Sequence, residues 1–216
     1  MSFLSMLSIY IVSLPDSPKR RKMAFKMQRQ RLLYSWVDGV RINSMKELRP
    51  VEYADLEGYK CDAVRNNPEY IMRACGCKRA MRKALQVVAD SGMWGIILQD
   101  DAIPCLNFAD KVESFMKRVT PDIHCVMLHC YGEELVHRNG FDYVCGNVRS
   151  MSAFAISPDF AREMAEKLVS WPRETDMIWE YYARRGVGIV LCITVKCTQK
   201  GSDIIGNIPE LSHLCE

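Results

Sequence analysis

Two adjacent carboxylates, Asp100 and Asp101, directly follow the apolar run 95–98 and a single glutamine. Like charges side by side at the end of a buried strand destabilise each other, and a divalent cation would remove that cost. Mg²⁺ and Mn²⁺ prefer hard oxygen ligands, and they typically bind one or two carboxylates together with the phosphates of a substrate. The pair therefore indicates a metal site. The alternative is a pair of solvated loop acids, one of which caps the next turn.

A second chemical signal is a concentration of positive charge near the N-terminus. Residues 18–31 include seven basic side chains and no acidic one: Lys19, Arg20, Arg21, Lys22, Lys26, Arg29 and Arg31. This stretch is either the solvated face of a helix or a binding site for an anion such as a phosphate. Its position in the fold has to decide between the two.

Strands and helices alternate along the chain. Apolar runs rich in Ile and Val predict strands, and apolar residues at helical spacing predict helices. Asp16 or Ser17 can cap the first helix, which Pro18 begins, and Gly92 ends the second helix. We expect strands at about 8–14, 34–37, 94–98, 124–129, 149–156 and 188–197, and helices at about 18–33, 68–91, 108–119, 158–169 and 174–185. Between 41 and 68, and again in the tail after 200, no period is clear. The order predicts one α/β domain over 1–216, an α/β/α sandwich with a mixed, mainly parallel central sheet.

Three predicted strands end on residues that could contact a ligand. Leu14 and Pro15 follow the first strand, Asp38 follows the second, and Asp100 and Asp101 follow the third. In an open α/β sheet, ligands bind beyond the carboxyl ends of the strands. We therefore expect these three strand ends to contribute to one site.

The composition argues against several classes of function. Hydrophobic residues make up 49% of the chain, enough for a buried core, and the formal net charge of +3 is too small to indicate a nucleic-acid partner by itself. Ten cysteines are scattered without a CxxC pair, which argues against a zinc cage. The apolar run 9–14 is too short for a signal or membrane segment. We therefore expect a cytoplasmic protein with reduced thiols and no transmembrane segment.

Several longer stretches form a pattern through their order and spacing. They are IYIVSLPDSPKRR at 9–21, GCKRAMRKA at 76–84, GIILQDDA at 95–102 and SAFAIS at 152–157. Together they resemble the family 25 type of glycosyltransferases, the lipopolysaccharide-biosynthesis type, within the GT-A fold. The corresponding family motifs are V-Y-V-I-N-L-D-R-x-P-x-R-R, G-C-x-x-S-H-x-K-A, A-L-I-L-E-D-D-V and A-Y-x-I-S. The likeness covers roughly residues 8–170.

The chain departs from the family pattern in two places. Ala80 and Met81 occupy the positions of the family's Ser-His pair, so the role of that histidine is absent or supplied elsewhere. Gln99 replaces the leading acid of the E-D-D motif and leaves a Q-D-D version of the D-x-D signature. The resemblance then implies that Asp101 is the direct metal ligand. Asp100 would bind the ribose or a metal-bound water at the catalytic centre.

The activity that the resemblance implies is transfer of a sugar from a nucleotide-diphosphate donor, a UDP-sugar, to a glycan or glycoprotein hydroxyl. Bound Mn²⁺ or Mg²⁺ would bridge the two phosphates and neutralise the charge that develops on the departing diphosphate. The nucleotide-binding half would span about 1–105 and the acceptor-side half about 106–216. A viral relative, such as a chlorovirus capsid-glycan transferase domain acting in the host cytoplasm, would fit the same motifs.

The resemblance also implies how the nucleoside of the donor would be bound. Backbone groups of Ser13, Leu14 and Pro15 would line the base. Asp38, which follows the second predicted strand, would accept a hydrogen bond from a uracil N–H.

Four more residues have a functional and a structural interpretation. Lys78 and Arg79 would reach the phosphates or the ribose, or they are ordinary surface charges. His213 would be a further metal ligand from the C-terminal tail, or an exposed loop histidine. Asp176 would orient the acceptor hydroxyl or act as its base, or it shares with Thr175 the capping of the next helix.

Two other functions compete with the transferase. A nucleotidyltransferase usually has a glycine-rich basic loop after the first strand, but residues 14–18 contain no glycine. A non-catalytic module would bind nucleotide or nucleic acid through the basic helix, but Phe25 is the one aromatic residue interleaved there. We therefore expect no nucleic-acid partner.

Overall fold

The computed structural model describes residues 7–56, 67–130, 134–146 and 148–197. In these ranges the α-helices are α1 (Pro18–Arg29), α2 (Pro68–Ser91), α3 (Phe108–Met116), α4 (Pro158–Lys167) and α5 (Ile178–Ala183). The strands are β1 (Ser8–Ser13), β2 (Ser35–Asp38), β3 (Gly95–Gln99), β4 (Ala102–Pro104), β5 (Ile123–Met127), β6 (Leu135–Arg138), β7 (Phe141–Val144), β8 (Ala153–Ile156), β9 (Gly188–Leu191) and β10 (Val195–Cys197). Short 3₁₀ turns lie at Met45–Glu47, Pro50–Glu52 and Thr175–Met177.

Eight of the described strands form one mixed sheet in the order β2-β1-β3-β8-β5-β9-β7-β6. Strand β1 is parallel to both β2 and β3, and β5 is parallel to β9. The remaining neighbours in the sheet are antiparallel. The predicted mixed α/β architecture is confirmed, but three of the seven strand pairings described are parallel, so the sheet is mainly parallel only in its first part, β2-β1-β3.

The continuous apolar character of β1 and β3 follows from burial on both faces of the sheet. Alternate residues of a strand point to opposite faces. Tyr10 and Ile97 therefore pack in the core that α2, α4 and α5 cover, whereas Ile11 and Ile96 pack in the core that α1 and α3 cover. The result is a helix–sheet–helix sandwich, as the sequence predicts.

The helix ends follow the local cap signals. The Ser17 hydroxyl accepts from the backbone N–H of Lys19 at the start of α1, and Pro18 occupies the first turn. Helix α1 ends at Arg29, earlier than the predicted end near 33, because Arg31 adopts a left-handed φ of 54°. Helix α2 has the predicted bounds and ends at Gly92, whose φ is 66°.

The second half of the chain differs more from the prediction. The predicted last strand, 188–197, is two strands, of which β9 joins the main sheet and β10 pairs with β4 in a separate two-stranded sheet. Hairpin β6–β7 was not predicted, although Asn139 and Gly140 form the Asn-Gly turn, with φ of 52° and 75°, that typically joins such strands. The predicted helix 174–185 is a 3₁₀ turn followed by the short α5.

The described residues bear on the state of the thiols and on the presence of membrane-spanning helices. All seven cysteines whose side chains the structure describes are free thiols. Among the helices described, none combines the length and apolarity needed to cross a membrane.

Candidate functional site

The strand order reverses at β1, which lies between β2 and β3. The chain passes through α1 to reach β2 on one side of β1, and later through α2 to reach β3 on the other side. Such a switch point opens a crevice at the carboxyl ends of the strands, where α/β sheets bind ligands. A cleft of about 620 Å³ lies here, and Ser13, Leu14, Asp100 and Asp101 are among its lining residues. The structure therefore brings the ends of β1 and β3 together as predicted.

Asp100 is oriented by two serine hydroxyls from β1 and the start of α1. Ser13 Oγ donates to Asp100 Oδ2 at 2.7 Å, and Ser17 Oγ donates to the same oxygen at 2.9 Å. Both serines line the cleft. From the sequence, Ser13 is expected to contribute only its backbone, and Ser17 is only one of two candidate caps of the helix. Their side-chain role depends on β1 and β3 being neighbours, which local patterns do not encode.

Asp101 combines desolvation with nearby positive charge. Burial raises the pKa of the Asp101 carboxyl, while the ammonium groups of Lys19 and Lys26 oppose that rise and Asp100 adds to it. Lys19 lines the cleft. The basic stretch of α1 thus directs part of its charge toward the carboxylate pair, which favours the anion-binding interpretation for Lys19.

Two further cations lie at the cleft, and each has a nearby carboxylate. Arg41 is ion-paired with Asp16 at 2.9 Å, and Arg73 is ion-paired with Glu69 one helical turn earlier. Arg41 and Arg73 are exposed. Surface pairs of this kind contribute little stability, so a phosphate could replace either carboxylate at small cost.

Four of the predicted donor contacts lie elsewhere. Pro15 and Asp38 do not belong to the described lining of the cleft, and the Asp38 carboxylate is ion-paired with Arg20 at 3.1 Å. Lys78 and Arg79 line a separate cleft of about 570 Å³. Lys78 Nζ donates to the Glu52 and Trp171 carbonyl oxygens, each at 2.6 Å.

Asp176 is connected to the main cleft by its charge, which acts on the lining residue Cys77. The thiol of Cys77 lies at the cleft, where desolvation raises its pKa to about 11 and the negative charges of Asp176 and Asp101 add to the rise. Burial also raises the pKa of Asp176 itself, which Arg149 opposes and Glu174 reinforces. The thiol is therefore protonated at neutral pH, and the charges of two carboxylates that are far apart in sequence both act on it.

The carboxylates at the main cleft suit a metal ion that takes most of its ligands from a substrate. Among the residues that the structure describes, no group of three or more His, Cys, Asp and Glu side chains is arranged to enclose a cation. His213, the predicted extra ligand, lies outside the described residues. One or two carboxylates at a cleft large enough for a diphosphate are the protein ligands that Mg²⁺ or Mn²⁺ typically uses.

Comparison with known proteins leaves the site to be interpreted from its own geometry. No family model matches this chain, and no curated protein matches it.

Proposed function

We propose that this protein is a metal-dependent glycosyltransferase of the GT-A type. Its donor is a nucleotide-diphosphate sugar, with UDP as the nucleotide, and its acceptor is a glycan hydroxyl. The observation that carries the proposal is the orientation of Asp100 by Ser13 and Ser17, beside the desolvated Asp101, at the switch point of the sheet.

Different residues around the cleft would bind different parts of a donor. Asp101 would hold Mn²⁺ or Mg²⁺, and the bound ion would stabilise the charge on the departing diphosphate. Asp100, already oriented by two hydroxyls, would accept from the ribose or from a water on that ion. Lys19, Arg41 and Arg73 would contact phosphate oxygens from the walls of the cleft.

The acceptor side of the reaction is assigned to Asp176. Its raised pKa keeps its carboxylate basic enough to take the proton of an acceptor hydroxyl. In that step the acceptor oxygen forms a bond to the anomeric carbon, and the bond from that carbon to the diphosphate breaks. The nucleoside diphosphate leaves with the bonding electrons, and the hydroxyl proton goes to Asp176.

The test is calorimetry of UDP, GDP and CDP binding, each with and without Mn²⁺, on the wild-type chain and on Asp101→Asn. We expect UDP to bind with a requirement for Mn²⁺ and the variant to lose that requirement, because an amide is a poor replacement for an anionic ligand. Asp110→Asn, an exposed acid of α3, is the matched control and should behave as wild type. Full Mn²⁺-dependent affinity in Asp101→Asn would remove Asp101 from the metal site.

A further inference from the structure

The second cleft adjoins the first and has a different charge. Val40, which follows β2, lines both clefts. The second cleft lies on the far side of that segment, against the end of α4 at Leu168 and Val169. Its lining includes one acidic side chain, Glu52, and five basic ones: Arg49, Lys78, Arg79, Arg82 and Lys83.

One of these cations is fixed and neutralised by Glu52. Arg79 Nε and Nη2 donate to the two carboxylate oxygens of Glu52, both at 2.9 Å, and Arg79 Nη2 also donates to the Glu47 carbonyl at 2.8 Å. The hydrogen bonds from Arg79, with help from Arg49, hold the pKa of Glu52 at about 2. Glu52 therefore stays ionised, but a single carboxylate cannot balance five cations.

Lys78 adds a positive charge beneath the cleft. Its side chain is 2% exposed, and its ammonium group donates to two backbone carbonyls. Within the described residues this ammonium makes no ion pair. Its direct partners are backbone dipoles, and the carboxylates of Glu52 and Glu174 act on it only through longer-range attraction.

Arg82 and Lys83 form the exposed wall of the cleft. They follow Arg79 by three and four residues in α2, so all three side chains lie on one face of that helix. Both are exposed, and in the described part of the chain neither side chain makes a hydrogen bond or an ion pair. Arg82 and Lys83, which have no partner among the described residues, therefore lie beside the ion-paired guanidinium of Arg79.

We propose that the second cleft binds a phosphate monoester carried by the acceptor glycan. A phosphate monoester has a charge of about −1.5 to −2 at pH 7 and three strong acceptor oxygens, which match two free cations better than a single carboxylate does. The assignment to the acceptor rests on the proposed function. It follows from the place of the cleft, which is separated from the first cleft by Val40 and reaches the end of α4 in the acceptor-side half.

The experiment measures binding of glucose 6-phosphate, inorganic phosphate and glucose by the full chain at low ionic strength, with UDP and Mg²⁺ added to occupy the first cleft. We expect saturable binding of glucose 6-phosphate, competition by inorganic phosphate and no binding of glucose. Arg82→Gln/Lys83→Gln should weaken binding of glucose 6-phosphate by about tenfold or more, because it removes two charge-assisted hydrogen bonds.

The matched control is Arg21→Gln/Lys22→Gln, which removes an adjacent, exposed Arg-Lys pair from helix α1. An equal loss of affinity in this control would overturn the proposal, because it would show non-specific attraction by net charge. Inorganic phosphate that binds about tenfold tighter than glucose 6-phosphate would overturn the assignment to a glycan. Tighter binding of an oligonucleotide that is lost in the same variant would also overturn it.

Failure of this inference can be distinguished from failure of the transferase proposal. If glucose 6-phosphate binding depends on Arg82 and Lys83 while UDP shows no metal-dependent binding, the phosphate site stands and its assignment to an acceptor falls. If UDP binds with its metal and glucose 6-phosphate does not bind, the phosphate site is wrong and the donor site is unaffected.

Discussion

At the scale of single residues, the orientation of Asp100 depends on hydroxyl groups from two different positions. Ser13 is buried at the end of β1, and Ser17 is the N-cap of α1. Both donate to one carboxylate oxygen, Asp100 Oδ2. Because both hydroxyls bind the same oxygen, the other oxygen of Asp100 is left for a ligand.

Ser13→Ala tests this arrangement. The variant removes the shorter of the two hydrogen bonds, so we expect a loss of about 1 kcal/mol in unfolding free energy and about a tenfold loss in affinity for UDP with Mn²⁺. Urea denaturation and calorimetry measure the two effects. Ser44→Ala removes the cap of a 3₁₀ turn outside the cleft and should leave nucleotide affinity unchanged. Wild-type affinity in Ser13→Ala would show that Asp100 needs no such orientation.

The lowered pKa of Glu52 predicts that the stability of the protein depends on pH. Its folded pKa is lowered from 4.5 to about 2, so its contribution to stability is present above pH 4.5 and is lost as the pH falls toward 2. We expect Glu52→Gln to lose about 3 kcal/mol at pH 7 and to show a flatter stability curve between these two pH values. Urea midpoints at pH 7 and pH 3 measure this. The control is Glu166→Gln, which changes an exposed acid of α4 and should keep the wild-type dependence of stability on pH.

At the scale of elements, the crossing of α2 and the segment after β2 determines the shape of both clefts. A Cβ at Gly76 would stand 2.5 Å from the Val40 carbonyl oxygen, which is closer than atoms pack. Glycine therefore lets the segment lie directly on the helix. Val40 reaches both clefts through this close approach.

Gly76→Ala should separate the two elements. We expect a destabilisation of about 1–3 kcal/mol from overpacking and about a tenfold loss of UDP affinity, because residues of the displaced segment line the main cleft. Gly92→Ala is the matched control, since it strains the left-handed end of the same helix without touching a cleft. It should cost about 1 kcal/mol of stability and no affinity. Equal affinity losses in both variants would mean that stability alone explains the effect.

At the scale of the whole molecule, an acid from the second half of the chain acts on a residue of the main cleft, whose described lining comes from residues 12–101. Helix α2 contributes Cys77, and the 3₁₀ turn Thr175–Met177 contributes Asp176, whose charge acts on the Cys77 thiol. In the proposed transferase, the carboxylates that would bind the donor and the acid that would serve the acceptor come from different halves of the chain. A binding module would need only the first half.

Asp176→Ala separates an enzyme from a binding module. If Asp176 is the general base, UDP–Mn²⁺ affinity stays nearly unchanged while sugar transfer, or slow hydrolysis of the donor, falls by about 10²-fold or more. Calorimetry and a nucleotide-release assay measure the two quantities. Asp110→Ala again provides an exposed control. Loss of both nucleotide binding and stability would show a structural cap, and full activity in a stable variant would remove Asp176 from the site.

Local sequence patterns determined most elements of the first half of the chain and the position of the carboxylate pair. The apolar runs of β1 and β3, the start of α1 at Pro18, and the end of α2 at Gly92 are all confirmed, and of the two candidate caps of α1 the structure uses Ser17. Each of these depends on neighbours within a few residues, because period, capping and strand burial are local properties. The same local properties placed Asp100 and Asp101 at the end of a strand.

Only the tertiary structure decided which side chains meet. Ser13 and Asp100 are 87 positions apart, and Lys78 and the Trp171 carbonyl are 93 apart. The direction of Lys78 was unpredictable for this reason: its helix position is local, but the carbonyls that bind its ammonium group lie on two distant segments. A buried charge is stable where packing supplies such partners, and packing depends on how distant segments cross.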